Sequence, residues 1–184
     1  MKAFLPNFFK LKQANDLVRV GSDYDGGYLV SKKDIEKTDL LVGLGICDNW
    51  SFEEDFALRN DVEVFAYDAS VNFKFWVKRV FAETIKSPLK LYAFRKFFSY
   101  KFFFKGKHKH IKKFVGLNAN DNINCTFAEV LNQTKSKNIY LKIDIEGSEY
   151  RFLNDIITNQ KRITGLVIEF HDVDIHLDKI KNFI

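Results

Sequence analysis

Cysteine is nearly absent from this 184-residue chain, and the two present, Cys47 and Cys125, stand 78 positions apart. That separation fits neither a metal-ligand spacing nor a redox pair, so free thiols in a reducing compartment are expected and disulfide scaffolding is not. Long apolar runs are missing too. No stretch approaches the roughly 20 uncharged residues of a membrane span, and the N-terminal MKAFLPNFFKLKQ has no run long enough for a signal-peptide core. A cytoplasmic protein is the expectation. Acids are missing from one region in particular: between Lys74 and Lys113 thirteen Lys and Arg face the single acid Glu83, while the rest of the chain holds 16 basic and 23 acidic residues. The net charge of +5 is therefore regional.

What the chain does have is a rhythm. Apolar, β-rich runs recur as DLLVGLG (Asp39 to Gly45), VEVFAYD (Val62 to Asp68), IKKFVGL (Ile111 to Leu117), NIYLKID (Asn138 to Asp144) and GLVIEFH (Gly165 to His171). Near-continuous apolar runs of this length suit strands buried on both faces. Helical patterns separate them: Ser51 to Arg59, part of Asn72 to Lys86, Thr126 to Lys135, Glu149 to Asn159 and Ile175 to Phe183. Alternation of this kind predicts one α/β domain over residues 1–184, a Rossmann-like, doubly wound, mostly parallel sheet. Residues 1–35 read as an N-terminal cap with a hairpin turn at Asp25-Gly26-Gly27. The basic aromatic segment 74–113 reads as a helical insertion, with Ser87 to His110, which includes Pro88 and Gly106, fitting the rhythm worst.

In an open parallel sheet ligands bind at the carboxyl ends of the strands. There the first strand is followed by Gly43-Leu44-Gly45, whose glycines permit close backbone approach, and then by a helix starting near Ser51, whose free N–H groups can hold an anion or carboxylate. The second strand ends in Asp68-Ala69, and an acid there can accept hydrogen bonds from both ribose hydroxyls. The pair points to an adenosine-containing cofactor. A pyrophosphate-binding loop prefers a third glycine where this chain has Asp48; S-adenosylmethionine carries a sulfonium and an ammonium and tolerates nearby acids, which tilts the reading toward it.

The blocks RVGSDYDGGYLV, LLVGLGICDNWSFEEDFA, VEVFAYDAS, YLKIDIEGSEYRFL and LVIEFH together resemble the FkbM-type and related methyltransferase-like proteins, class I S-adenosylmethionine-dependent enzymes. KIDIEGSE is the most specific part. The resemblance covers nearly the whole chain outside the basic segment. It implies O-methylation of sugars or other small hydroxyl-bearing molecules, with Gly43 and Gly45 near the methionyl part of the cofactor, Asp68 at the ribose and Gly116, Leu117 and Asn118 at the adenine. A complete fold of that class continues into two further strands forming a hairpin, whereas this chain ends at Ile184, so a sheet lacking those strands is expected.

Methyl transfer to oxygen requires the acceptor hydroxyl to be positioned and to lose its proton. Asp144, Glu146, Glu169 and His171 fall at the ends of the fourth and fifth strands, and Asp144 and His171 lead as general base. Alternatively Asp144, Glu169 and His171 hold a divalent metal that acidifies the hydroxyl. Glu149 reads as a first-turn acid of the next helix. Lys142 reads as the partner of an unknown carboxylate, and His108 and His110 as solvated. The basic aromatic segment has three readings: a solvated helix pair packed on the domain through Phe94, Phe97 and Phe98, an anionic membrane surface at the inner face of the membrane, or nucleic acid. The functional expectation is an O-methyltransferase acting on a sugar or glycoconjugate. The alternatives are a catalytically impaired methyltransferase fold that binds a membrane or partner, and an RNA methyltransferase.

Overall fold

The structure, a computed structural model, describes residues 6–10, 13–86, 92–116 and 121–184. The expected N-terminal hairpin is formed by β1 (Leu17–Gly21) and β2 (Gly27–Ser31), antiparallel in register Leu17 to Ser31. A short helix, α1 (Lys32–Lys37), follows it, its first turn held by Ser31 accepting from the Asp34 N–H. The chain then enters a five-stranded sheet built from β3 (Leu40–Leu44), β4 (Glu63–Tyr67), β5 (His108–Ile111), β8 (Ile139–Ile143) and β9 (Ile163–Ile168). Every pairing in it is parallel, and the spatial order is β5-β4-β3-β8-β9. The chain thus builds outward from β3 on one side and from β8 on the other, and the order reverses between those two strands.

Both faces of the sheet are covered, which explains the near-continuous apolar runs: β3 and β8 are buried at all five positions. On one face α2 (Ser51–Asn60), the hairpin and the helices α3 (Phe73–Lys86) and α4 (Tyr92–Phe103) enclose Leu41, Phe52, Phe56, Val64, Trp76 and Tyr140. On the other, α5 (Phe127–Asn132), α6 (Leu153–Thr158) and α7 (Val173–Phe183) enclose Val42, Leu44, Tyr67, Leu141, Phe152 and Ile180. Six residues make a marginal helix, and α5 starts with a capping box in which Thr126 Oγ1 accepts from the Glu129 N–H while the Glu129 carboxylate accepts from the Thr126 N–H. Among the described residues no helix is long and apolar enough to cross a membrane.

Two expectations need correction. The third sheet strand is His108–Ile111, not Ile111 to Leu117: the chain turns out of the sheet at Lys112-Lys113, where the Lys113 N–H reaches the Ile111 carbonyl at 2.7 Å. Phe114–Gly116 instead forms β6, paired in a separate two-stranded sheet with β7 (Asn124–Thr126). The segment 74–113 holds α4 and β5 and all but the first residue of α3, so part of it belongs to the sheet itself. It supplies an edge strand whose Lys109 discourages pairing with another chain, and α4 buries Ala93, Tyr100 and Phe103 in the core. His108 and His110 are therefore not solvated. His108 stacks on Phe103 at 4.7 Å; His110 contacts the Asp68 carbonyl through Nε2 at 2.8 Å and the Tyr100 hydroxyl through Nδ1, and burial lowers the pKa of both rings.

Candidate functional site

The sheet's hydrogen-bond ladder runs one residue past the ends of its strands. The Asp68 N–H donates to Ile111, Gly45 to Tyr67, Asp144 to Leu44 and Glu169 to Ile143, at 2.9–3.1 Å. Four residues singled out in the sequence therefore stand in one row along the carboxyl edge, on both sides of the point where strand order reverses. They line a cleft of about 640 Å³ shared with Gly116, Glu146 and His171 and with the hairpin turn at Asp25 and Gly26. Only glycine serves at position 45: its φ is +80°, and a Cβ there would lie 1.8 Å from the Asp144 carbonyl oxygen.

Other expected cofactor contacts are not in the cleft. Gly43 and Leu44 are buried inside β3, and the missing side chain of Gly43 makes room for Glu53, whose Oε1 would sit 2.5 Å from a Cβ. Ser51 accepts the Ser22 N–H at 3.2 Å and so fastens the hairpin to α2. Ala69 lies outside the lining residues, whereas its neighbour Ser70 is among them. Leu117 and Asn118 lie outside the described residues.

Asp68 is a well-bound acid. Its Oδ2 accepts from the Ile46 and Cys47 N–H groups at 3.1 and 2.8 Å, and its Oδ1 accepts from the N–H and hydroxyl of Ser70 at 2.8 and 2.6 Å. The carboxylate thus shapes the loop after β3 as well as facing the cleft. Asp48, the acid in the third-glycine position, is neutralised by Arg79 at 2.5 Å and Lys96 at 3.6 Å.

Asp144 is the hub. Its Oδ2 lies 3.7 Å from Lys142 Nζ and 3.2 Å from the Tyr28 hydroxyl, and its Oδ1 lies 3.8 Å from His171 Nε2. Tyr28 also reaches Glu169 at 3.0 Å. One phenolic proton thus serves two carboxylates, and burial followed by those two charges pushes the phenol's pKa up. Lys142 finds the partners its place in an apolar strand demands: Asp144, the Gly45 carbonyl and the fully buried Glu53 at 4.0 Å. Burial raises the Glu53 pKa and Lys142 opposes the rise; neither Glu53 oxygen has a hydrogen bond.

Glu149 has a more specific task than its expected first-turn position implied. It opens a 3-10 turn, Glu149–Arg151, and its buried carboxylate accepts from the Gly147 N–H at 2.8 Å and the His171 N–H at 2.7 Å. It also contacts His171 Nδ1 at 3.3 Å, which leaves Nε2 toward Asp144 and Glu146. Burial alone would lower the His171 pKa; the Glu149, Glu146 and Asp144 carboxylates more than reverse it, and the ring titrates above its ordinary 6.5. Stability contributed by this protonated ring is complete below the unfolded pKa and fades as pH rises through the folded one. With a chelator present, Glu149→Gln is expected to move the His171 midpoint down in an NMR titration; an unchanged midpoint would show that Glu149 is not its partner.

One oxygen each of Asp144 and Glu169 and a nitrogen of His171 lie within 4.8 Å of one another, a separation that three ligands of one cation can adopt. The sequence reading named these three together. It missed Tyr28 and Glu53: one sits in a hairpin 116 positions before its partner Asp144, the other reads as one acid among several on α2, and neither carries a local signal. Comparison with family models, curated proteins and solved structures returned no match.

Proposed function

We propose that this chain is an S-adenosylmethionine-dependent O-methyltransferase whose acceptor is a hydroxyl of a sugar or glycoconjugate. The class comes first: a doubly wound α/β protein with a cleft at the point where its strand order reverses, the usual ligand position for such sheets. The cofactor reading rests on the charge of that cleft. In a chain of net charge +5, six carboxylates line it (Asp25, Asp48, Asp68, Asp144, Glu146 and Glu169) against Lys142, Arg151 and His171. Lys142 is already committed to Glu53 and Asp144. A cleft of that sign suits a sulfonium and an ammonium and opposes a pyrophosphate, even with Asp48 neutralised.

Asp68 and the backbone at Gly45 would hold the ribose and methionyl parts, with Gly116 bordering the adenine. When bound, S-adenosylmethionine supplies an electrophilic methyl group. Asp144, poised between Lys142 and His171, or His171 itself through Nε2, accepts the proton of the acceptor hydroxyl. Asp144, Glu169 and His171 also suit a divalent cation, two oxygens and one imidazole nitrogen being a donor set for Mn²⁺ or Mg²⁺, and such an ion would lower the pKa of a coordinated hydroxyl.

The test is transfer of a labelled methyl group from S-adenosylmethionine to a panel of sugars and glycoconjugates, with Mn²⁺ or Mg²⁺ and again with a chelator. Labelled methyl ether is the expected product. Cofactor bound but no methyl transferred to any hydroxyl acceptor would contradict the reading.

A further inference from the structure

Helices α3 and α4 each turn one face inward and leave an apolar face in solvent. Inward, Trp76 of α3 packs edge-on against Phe97 and Trp50 and is tilted against Tyr100. Outward, Phe73, Val77, Phe81 and Ile85 recur every fourth residue along α3, and Phe94, Phe98 and Phe102 do so along α4. These seven side chains are exposed, Phe81 at 69%, Phe98 at 65% and Phe102 at 84%. The expected packing of Phe94, Phe97 and Phe98 on the domain therefore holds for Phe97 alone. Spaced singly, such residues would be unremarkable; in two stripes on neighbouring helices they form a surface that water disfavours.

Charge identifies what covers it. Lys74, Lys78, Arg95 and Lys101 are exposed on the same two helices, and none forms an ion pair with a carboxylate among the described residues. The only acid of the basic region, Glu83, is paired with Arg79. Aromatic side chains flanked by unpaired cations match a bilayer interface, where rings enter the acyl boundary and cations meet anionic headgroups. We propose that the outward faces of α3 and α4 dock this protein on an anionic lipid surface, whether or not the cleft transfers methyl groups.

The test is flotation of the full chain with phosphatidylcholine vesicles prepared with and without phosphatidylglycerol. Binding to the anionic vesicles only, weakened by salt, is expected. The quadruple variant Lys74→Gln, Lys78→Gln, Arg95→Gln, Lys101→Gln is expected to lose about fivefold in partitioning per cation removed. The triple variant Phe81→Ser, Phe98→Ser, Phe102→Ser should lose at least about tenfold, because the ring burial that holds the helices in the interface is gone. Both alter only exposed positions, so unchanged circular dichroism and thermal unfolding are expected to accompany the loss. Three results would overturn the proposal: no binding to anionic vesicles, folded variants that bind like wild type, or a wild-type dimer that the Phe variant converts to monomer. Salt-sensitive RNA binding in place of vesicle binding would assign the charge to nucleic acid instead.

Discussion

Asp144→Asn is expected to slow methyl transfer by about a hundredfold to ten-thousandfold, the range a positioned acid-base group contributes. Asparagine keeps the size of the side chain and its reach toward Tyr28, so the cleft's shape is retained. What disappears is a negative charge set 3.7 Å from Lys142 and 3.8 Å from His171. Without it the proposed proton acceptor next to Lys142 is gone, and a divalent cation at this site would lose one of the three candidate ligands. Lys142 keeps Glu53, so the fold should lose little stability. Single-turnover rates, with cofactor binding measured alongside, separate a chemical defect from a binding one. A variant as fast as wild type would remove Asp144 from the chemistry.

Lys142→Met should have the largest effect on stability, about 3–5 kcal/mol, the cost of leaving one partner of a buried ion pair alone. Glu53 is fully buried, sits under Gly43 and has no hydrogen bond, so Lys142 is the cation available to it. Deprived of that cation, the Glu53 carboxyl is held protonated in the folded variant, while in the unfolded chain it ionises near its ordinary value of about 4.3. A folded pKa raised above the unfolded one makes stability fall as pH rises. The deficit should thus be small near pH 5 and large at pH 8, and Glu53→Gln in the same chain should recover part of it. Urea unfolding at the two pH values checks both statements. An equal deficit at both would mean that lost packing, not an abandoned charge, dominates.

The sheet was largely legible because its central strands β3 and β8 are buried on both faces; four of the five expected strands lie within three residues of their places. The exception is instructive. His108–Ile111 is an edge strand, so lysine and histidine are tolerated in it, and hydropathy alone assigned the strand to the greasier Phe114–Gly116 next door. The placement of Asp68, Asp144 and Glu169 at strand ends was legible for the same reason that the strands were. Gly43 was misread because a glycine in a strand marks close approach without saying by what, and here the visitor is the Glu53 side chain. Tyr28 could not be found from spacing, since only the folded hairpin carries it to Asp144 and Glu169.

Titration calorimetry of the folded chain with S-adenosylhomocysteine tests the central claim most directly, because it asks whether the cleft takes this cofactor without needing the acceptor. Saturable binding at one site is predicted, markedly weakened by Asp68→Ala, which removes the acid proposed to hold the ribose and the anchor of the loop after β3. No heat of binding to folded wild-type protein, by S-adenosylhomocysteine or by S-adenosylmethionine, would contradict the account.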